Sequence, residues 1–436
     1  MRNRYPAFAG VGIAASALAA LLGYAQKLPC SSGGAWNNNV SQFRDFCYTD
    51  IYPLYYTEQL ANGKVPYYGH PVEYPVLMGW MMEAASWLVT TGPAFYNVTV
   101  VLLAVCLLVG VVATAAAAAG EGGGAGTRAA LMVALSPGLI LAAFINWDLF
   151  AMALTACGLA AWAFRRPWLA GALLGLAAGT KFYPLLFFGA LLVLCLRAGR
   201  LREFFRALGG GLIAWLVINL PVALTATSGW AEFYAFSRDR GADWGSIWYL
   251  FENYNVTGLG NSSLGTLNFM SSAAYAVACV AIAVLVLAAP RRPRLPQVCF
   301  LLLGSFLILN KVWSPQYVIW LVPLAVLCRP RVWAYILWQL AEVGYFVGIW
   351  SYFVNMYDPP HGFTTGWYFV TLVARLLTLA LLMSTVVADI LRPEQDRVRA
   401  SGRNDDPAGG VLDGAPDRLS LPWRHVVRRP VEAAAS

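Results

Sequence analysis

The sequence predicts an all-α polytopic integral membrane protein with about 12 transmembrane helices. Two observations carry this prediction. Of the 436 residues, 59% are hydrophobic and only 12% are charged, far from the composition of a soluble domain. Long apolar runs also follow one another along most of the chain. No internal repeat or separate soluble domain is apparent, so one membrane domain is expected over residues 1–391.

The predicted spans begin with Ala7–Ala25, which we interpret as an uncleaved first helix because many spans follow it. The later apolar runs are Val76–Val89, Phe95–Ala119, Ala129–Ile145, Leu149–Phe164, Trp168–Gly179, Leu185–Leu196, Ala207–Ala226, Ser272–Ala289, Gln297–Leu309, Tyr317–Cys328, Val332–Trp350 and Trp367–Leu391. Val76–Val89 is short and carries Glu83, so an interfacial position is the alternative to a crossing. Residues 392–436 are rich in Arg, Asp, Gly and Pro, which predicts a disordered tail.

Arginine clusters between the apolar runs predict the orientation in the cell membrane. They are Arg165-Arg166, Arg197–Arg206, Arg291–Arg294, Arg329–Arg331 and the tail from Arg392. By the positive-inside rule, these clusters and both termini are expected on the cytoplasmic side. The first loop, residues 26–75, and a second large loop, residues 228–271, are then extracytoplasmic. The net charge of +8 reflects these clusters, and no nucleic-acid partner is expected.

Two hairpins have arms that are too short for full crossings. Trp168–Leu196 turns at Lys181–Pro184, the first tip, and Gln297–Cys328 turns at Asn310–Tyr317, the second tip. A full span needs about 20 residues, and non-helical backbone persists at membrane depth only where it lines a polar cavity. We therefore expect both tips to line a cavity that opens to the outside.

Each tip carries a lysine, Lys181 in the first and Lys311 in the second. A half-buried lysine near a membrane needs a partner, and the phosphate of a lipid could supply it. The alternative is a lysine whose ammonium snorkels to the interface. Because two lysines stand at two short tips, we favour phosphate binding.

The first loop is polar and aromatic between Cys47 and Pro75, and it contains the strongest catalytic candidate, Asp50. A carboxylate in this position could deprotonate an acceptor hydroxyl. The alternative is a helix N-cap, because Asp50 directly precedes the run Ile51–Leu60. Spacing alone does not separate these alternatives. Asp45 is a weaker candidate for substrate binding, since it follows Arg44 and could simply pair with it.

Glu73, Tyr74 and His70 lie near the end of the same loop. Glu73 could orient a sugar hydroxyl, or it could be an interfacial residue before a helix that Pro75 starts. His70 could be a ligand or a base. With three His in the chain and no second one nearby, a metal site built on His is not expected.

Arg238, Arg240 and Asp243 form a charged cluster in the second large loop. They could clamp a phosphate, a pyrophosphate or an acceptor headgroup. A salt-bridged surface loop is the alternative.

The sequence contains no P-loop, zinc-protease, nucleophile-elbow or Cys-x-x-Cys motif, which argues against ATP-driven transport and the common hydrolases.

Two of the eight cysteines, Cys30 and Cys47, fall in the first loop. A disulfide between them requires that loop to face an oxidising compartment, and two free thiols are the alternative. The other cysteines lie in or beside apolar segments, as inert small hydrophobic residues do.

Several of these segments resemble membrane glycosyltransferases of the GT-C class, which use a polyprenyl-phosphate sugar. Tyr48-Thr-Asp-Ile51, Gly63-Lys-Val-Pro-Tyr67 and Glu73-Tyr-Pro75 resemble the first luminal loop of the catalytic subunit of GPI mannosyltransferase I. The first tip, Lys181-Phe-Tyr-Pro184, and the second, Asn310-Lys-Val-Trp-Ser-Pro-Gln-Tyr317, resemble motifs of that family. Asn146-Trp-Asp148 and the chain length resemble the actinobacterial family that contains the phosphatidylinositol-mannoside mannosyltransferases.

The resemblance implies a GT-C-like fold and transfer of a hexose, first of all mannose, from a polyprenyl-phosphate donor to an extracytoplasmic glycolipid or glycan acceptor. It implies Asp50 as the general base of one inverting displacement. Asn146, Asp148, Gln316 and Tyr317 join the substrate-binding candidates on the same ground.

Two departures from the family pattern limit what the resemblance implies. Tyr52 stands where the family has the second Asp of its Asp-x-Asp motif, so no cofactor is expected to be required and a divalent metal is unsupported. Gln316-Tyr317 stands in the region where the actinobacterial enzymes often carry paired His, which bears on the identity of the sugar.

Two rival functions come from other classes. A lipid or polysaccharide transporter or flippase would place carboxylates and broken helices at the midplane and show an internal repeat. Here the carboxylates gather in a loop. A non-catalytic subunit of an envelope-assembly complex would also contact membrane lipid, but it gives no reason for the polar density of the first loop.

Overall fold

The computed structural model describes residues 5–31, 34–256, 263–401 and 405–421, and its main elements are α-helices. In chain order the helices are α1 Tyr5–Ser31, α2 Asn39–Arg44, α3 Ile51–Thr57, α4 Val76–Ser86, α5 Gly92–Ala118, α6 Ala125–Ala134, α7 Pro137–Ala142, α8 Asp148–Ala163, α9 Pro167–Ala178, α10 Leu185–Ala198, α11 Leu201–Thr225, α12 Thr227–Asp239, α13 Ile247–Asn253, α14 Leu264–Ala288, α15 Leu295–Leu309, α16 Val318–Cys328, α17 Val332–Tyr357 and α18 Thr365–Leu391.

Within these residues, six helices are long and apolar enough to cross a membrane: α1, α5, α11, α14, α17 and α18. Five shorter apolar helices, of 10–17 residues, join them, and four of these form the arms of the two predicted hairpins. At 1.5 Å per residue, a 12-residue helix extends only about 18 Å, short of a full bilayer core. The all-α multi-pass prediction is confirmed, whereas the predicted number of about 12 crossings is not confirmed.

One predicted span is divided in the structure. The run Ala129–Ile145 separates into α6 and α7 because Pro137, which lacks an N–H, starts a new helix at its first turn. α7 then ends at Ala142, so residues 143–147 form a non-helical linker before α8. This linker presents the Ile145 carbonyl and the Asn146 side chain to the first loop.

Helices α9 and α11 pack with their backbones in close contact. A Cβ added to Gly171 would lie 1.7 Å from the Ala207 carbonyl oxygen, and one added to Gly175 would lie 2.3 Å from that of Gly211. Only glycine fits at such a crossing. Close approach of this kind lets short helices associate in lipid, where van der Waals packing and not the hydrophobic effect drives association.

The first loop is folded and attached to the bundle. Cys30 and Cys47 form a disulfide with a Cα–Cα distance of 5.9 Å, and the Trp36 indole donates to the Cys47 carbonyl at 2.9 Å. The Thr49 hydroxyl donates to the Phe144 carbonyl at 2.9 Å, and the Asp50 N–H donates to that of Ile145 at 2.7 Å. These contacts fix the start of α3 against the α7–α8 linker.

Polar loops and arginine clusters lie at opposite ends of the helix bundle. The first loop, both tips and the loop after α12 meet around one cavity, at what we call the cavity end. The predicted arginine clusters gather at the other end, the arginine-rich end, where α8 and α10 finish and α15 begins. This arrangement agrees with the alternation of the arginine clusters, and the side of the membrane that each end faces stays a prediction.

The segment after α18 differs from the disordered tail predicted over residues 392–436. Residues 392–401 and 405–421, here called the C-terminal segment, pack on the arginine-rich end. Arg294 pairs with Asp396 at 2.7 Å, and Arg197 pairs with Asp417 at 2.7 Å. Composition suggested solvation, but buried guanidinium groups of the bundle order these residues. Residues 422–436 lie outside the described part of the chain, as do 257–262 of the second large loop.

Candidate active site

A cavity of about 630 Å³ opens at the cavity end. The first loop, the α7–α8 linker, both tips, α12 with the loop after it, and α17 all contribute to its walls. Ten of the predicted site residues line it: Asp50, Glu73, Tyr74, Asn146, Lys181, Arg240, Asp243, Lys311, Gln316 and Tyr317. The short hairpins therefore bring their tips to one cavity, as their length predicted.

Asp50 directs its carboxylate into the cavity and does not cap α3. Its Oδ1 accepts from the Tyr48 hydroxyl at 2.5 Å, and its Oδ2 accepts from the Asn146 amide at 2.8 Å. The α3 N-terminus receives no side-chain hydrogen bond from Asp50, and the Ile51 N–H donates to the Thr49 hydroxyl instead. The hydrogen bond that a helix cap would make is therefore absent at Asp50, and its role as a base stays a prediction.

Asn146 connects the carboxylate to the first tip. Its side-chain amide donates to Asp50 and to the Tyr74 hydroxyl, each at 2.8 Å. Its side-chain oxygen accepts from the Lys181 ammonium at 3.4 Å and from the Trp147 N–H at 2.7 Å. One side chain therefore sets the distance between a candidate base and a candidate phosphate ligand.

Asp148 lies beneath the cavity and supports Lys181. It is fully buried, accepts from the Trp320 indole at 2.7 Å, and lies 3.9 Å from the Lys181 ammonium. The ammonium also lies 4.8 Å from the centre of the Tyr74 ring, a cation–π distance. Asp148 therefore does not line the cavity. It contacts Lys181, so any part that it has in substrate binding acts through that lysine.

Lys311, in the second tip, is held by backbone carbonyls. Its ammonium donates to the carbonyls of Arg238 and Arg240 at 2.9 and 2.6 Å. The Asp243 N–H donates back to the Lys311 carbonyl at 2.8 Å. Burial, and then the nearby Arg240 guanidinium, lower the pKa of Lys311. The loop after α12 and the second tip therefore form one unit.

The Arg240 guanidinium lines the cavity together with the carboxylates of Asp243 and Glu73. Arg240 lies 3.5 Å from Asp243, and Glu73 lines the wall near them. Burial raises the pKa of Asp243, an effect that Arg240 opposes. Burial is also the main cause that raises the pKa of Glu73. Arg240 and the two tip lysines therefore share the cavity lining with the carboxylates of Asp50, Glu73 and Asp243.

Besides Asp148, three predicted residues lie outside the cavity lining. Asp45 is exposed at the end of α2, and the exposed Arg238 pairs with Asp239 at 2.8 Å, so that only its carbonyl serves the site. His70 lies 3.7 Å from Glu58. These positions do not support direct binding of a substrate in this cavity by the side chains of Asp45, His70 or Arg238.

Comparison with known proteins identifies the family of this chain. The model of glycosyltransferase family 87 matches residues 73–310, more than half of the sequence. The chain belongs to glycosyltransferase family 87. It is therefore a membrane glycosyltransferase, which confirms the predicted enzyme class.

Among solved structures, this family 87 chain is similar to ArnT from Cupriavidus metallidurans bound to undecaprenyl phosphate. The similarity is 16% sequence identity with a TM-score of 0.40, over 81% of this chain and 73% of ArnT. No curated protein matches the chain. The residues matched by the family include Glu73, Asn146, Lys181 and Arg240, whereas Asp50 lies before them and Gln316 after them.

Aromatic side chains form much of the wall of the family 87 cavity. Tyr317 stacks on Trp320 with ring centres 3.8 Å apart, and Trp320 stacks on Tyr183 at 4.5 Å. The rings of Tyr48 and Trp350, which also line the cavity, lie 4.5 Å apart. Flat aromatic faces beside a few polar groups are typical of small-molecule sites.

The sequence analysis missed a buried ion pair that supports the second tip. Arg375 in α18 pairs with Glu342 in α17 at 2.9 Å, and both side chains are almost fully buried. The Arg375 guanidinium donates to the Trp313 and Ser314 carbonyls at 3.2 and 3.3 Å. Two opposite charges within apolar runs were the available signal, since ionisable residues inside a membrane usually serve a site.

Lys27, near the end of α1, was also missed. It is fully buried, and its ammonium donates to the Tyr48 carbonyl at 2.6 Å. The ammonium therefore lies directly behind the peptide segment that carries Asp50.

No metal-binding group of three or more His, Cys, Asp or Glu side chains occurs within residues 5–31, 34–256, 263–401 and 405–421.

Proposed function

We propose that this glycosyltransferase moves a hexose, preferentially mannose, from a polyprenyl-phosphate donor to a hydroxyl of a glycolipid or glycan acceptor. One observation carries the proposal. The hydrogen-bonded carboxylate of Asp50 lines the cavity at the cavity end of the bundle. Three cations, Lys181, Arg240 and Lys311, line the same cavity. A base and an anion-binding wall are the two parts that such a displacement needs.

Asp50 acts as the general base in this proposal. The Tyr48 hydroxyl and the Asn146 amide each hold one carboxylate oxygen, so the group has a defined direction. The acceptor hydroxyl gives its proton to Asp50 as its oxygen attacks the anomeric carbon. Positioned proton transfer of this kind contributes about 10²–10⁴-fold to the rate.

The lipid phosphate is the leaving group. As the new bond from the acceptor oxygen to the anomeric carbon forms, the bond from that carbon to the phosphate oxygen breaks, and the electron pair stays on the phosphate. Lys181, Arg240 and Lys311 stabilise the charge that develops there. A single displacement inverts the configuration of the anomeric carbon.

Two features support a site on the extracytoplasmic side. The Cys30–Cys47 disulfide belongs to the cavity end, and disulfides persist in oxidising compartments. The arginine clusters occupy the opposite end, as the positive-inside rule requires for the cytoplasmic side. Both substrates would then be confined at one membrane surface, which raises their effective concentration.

The preference for mannose rests on the resemblance of the first loop and the two tips to mannosyltransferases. It is tested by incubating the purified protein with radiolabelled polyprenyl-phosphate mannose and a membrane extract, with polyprenyl-phosphate glucose as the matched donor. We expect a labelled lipid or glycan whose new linkage has the anomeric configuration opposite to that of the donor. Retention of configuration would contradict the single displacement, and transfer from the glucose donor alone would contradict the choice of mannose.

A further inference from the structure

A second, smaller cavity of about 140 Å³ lies at the arginine-rich end, far from the proposed active site. The ends of α5 and α16 and the beginnings of α6 and α17 surround it. We propose that it binds the phosphate of an anionic phospholipid. Its lining residues are Ala118, Glu121, Ala125, Arg128, Ala129, Met132, Val326, Arg329, Pro330, Val332 and Arg397.

The residues that line this cavity carry more positive than negative charge. Arg128 and Arg329 each lie 3.5 Å from the same carboxylate oxygen of Glu121. Arg397 lines the cavity as a third guanidinium, and no ion pair joins it to a carboxylate in the described part of the chain. Glu121 is the one carboxylate among the lining residues beside three arginines, so the lining carries a surplus of two positive charges.

Membrane orientation alone does not explain this arrangement. Other arginines at the same end have close partners, since Arg197 meets Asp417 at 2.7 Å and Arg294 meets Asp396 at 2.7 Å. A topology signal requires positive charge on one side of the membrane, but it does not require unbalanced guanidinium groups around a cavity. The planar guanidinium group donates paired hydrogen bonds that match the oxygens of a phosphate. A phosphate is therefore the partner that we propose for these arginines.

The uncharged part of the lining indicates a lipid and not a soluble phosphate. Aliphatic and thioether side chains from α6, α16 and α17, namely Ala129, Met132, Val326 and Val332, share the cavity with the guanidinium groups. A ligand that fits both parts has a negatively charged head and an apolar body. Glu121, with only 8% of its side chain exposed, holds Arg128 and Arg329 toward that head.

The test uses the full-length protein in detergent micelles supplemented with phosphatidylglycerol, phosphatidylcholine or inorganic phosphate. Thermal unfolding is followed at increasing ligand concentration, and retained lipids are counted by native mass spectrometry. We expect phosphatidylglycerol to raise the unfolding temperature and to remain bound. Arg128→Gln should weaken its apparent affinity roughly tenfold, the loss typical of one charge-assisted hydrogen bond.

Two further variants complete the design. Arg329→Gln should weaken the affinity similarly, but Arg329 also donates to the Arg397 carbonyl at 2.7 Å, so Arg128→Gln decides if Arg329→Gln fails to fold. Arg166→Gln removes an exposed arginine after α8 at the same end and should leave binding unchanged. The proposal is overturned if Arg128→Gln binds phosphatidylglycerol like the parent, or if phosphatidylcholine or inorganic phosphate stabilises the protein equally.

Discussion

The side-chain amide of Asn146 donates a 2.8 Å hydrogen bond to Asp50, joining the first loop to the linker before α8. The same residue accepts a 3.4 Å hydrogen bond from Lys181. The proposed base and a proposed phosphate ligand therefore share one neutral side chain between them. Any change that moves Asn146 should disturb proton transfer and donor binding together.

Asp50→Asn should abolish transfer while leaving expression, folding and donor binding nearly intact. The amide is almost isosteric with the carboxylate but cannot accept a proton at neutral pH, so we expect a loss of roughly 100-fold or more in kcat. Single-turnover assays with labelled donor measure it. Asp45→Asn, an exposed position in the same loop, is the matched control. Wild-type turnover by Asp50→Asn would assign the base to another residue, with Glu73 the next candidate in the cavity.

Asn146→Ala should lower kcat by roughly 10- to 100-fold, because a hydrogen bond to a charged group contributes about 1.5–3 kcal/mol. It should also raise the KM for the donor, since Lys181 loses an acceptor. Steady-state kinetics with varied donor separate the two effects. Asn62→Ala, exposed in the first loop, should change neither parameter. An Asn146→Ala variant with normal kcat would mean that Tyr48 and Gln316, which also donate to Asp50, are enough to position it.

Lys181→Ala and Lys311→Ala should weaken use of the lipid-phosphate donor. Each removes a cation from the cavity wall, and we expect the KM for the donor to rise roughly tenfold or more. Donor-dependence kinetics of folded protein measure this change. Lys64→Ala, on the exposed surface of the first loop, serves as the control. If both tip variants retain parental donor kinetics, the lysines are interfacial anchors.

Arg375→Leu should destabilise the protein by about 3–5 kcal/mol, because it leaves the Glu342 carboxylate buried without its partner. The double variant Arg375→Leu/Glu342→Leu should be less destabilised than either single variant. Thermal unfolding of all four proteins forms a double-mutant cycle that measures the coupling. Additive effects would show that the pair contributes nothing beyond packing.

Glu58 should make stability depend on pH. Burial, followed by repulsion from Glu73 and Glu232, raises the pKa of Glu58 from its model-compound value of 4.5 to about 7. A raised folded-state pKa gives a contribution to stability that is fully present below pH 4.5 and lost as the pH rises through about 7.

Glu58→Gln should therefore unfold at a higher temperature than the parent at pH 8 and differ little from it at pH 4.5. Unfolding temperatures measured across this range test the expectation. His70, 3.7 Å from Glu58, faces the same group, so His70→Gln is measured alongside. Glu394→Gln, at an exposed position after α18, is the matched control. Parallel pH profiles for Glu58→Gln and the parent would contradict the assignment.

The cavity could be predicted from the sequence because its parts lie in unusual local contexts. The tips at Lys181 and Lys311 stand between apolar arms that are too short to cross a membrane. The length of these arms can be read directly from the sequence. The role of Asp50 could not be decided in this way. A carboxylate before a helix suits a cap and a base equally, and its hydrogen bond from Asn146 joins residues 96 positions apart.

The C-terminal segment and the division of Ala129–Ile145 show what else the sequence could not reveal. Composition predicts a solvated tail, but the packing of residues 392–401 and 405–421 depends on where Arg197 and Arg294 lie in space. The break at Pro137 had a local signal, since proline starts a helix more readily than it continues one. The apolar character on both sides of that proline concealed the break.

The C-terminal segment has a consequence for the order of assembly. It is synthesised after α18, yet it supplies the carboxylates that Arg197 and Arg294 need. Until Asp396 and Asp417 leave the ribosome, those guanidinium groups are solvated by water and lipid headgroups at the membrane surface. The ion pairs of the arginine-rich end can therefore form only after α18 has been synthesised. Completion of this end of the fold therefore depends on acidic residues that are translated after α18.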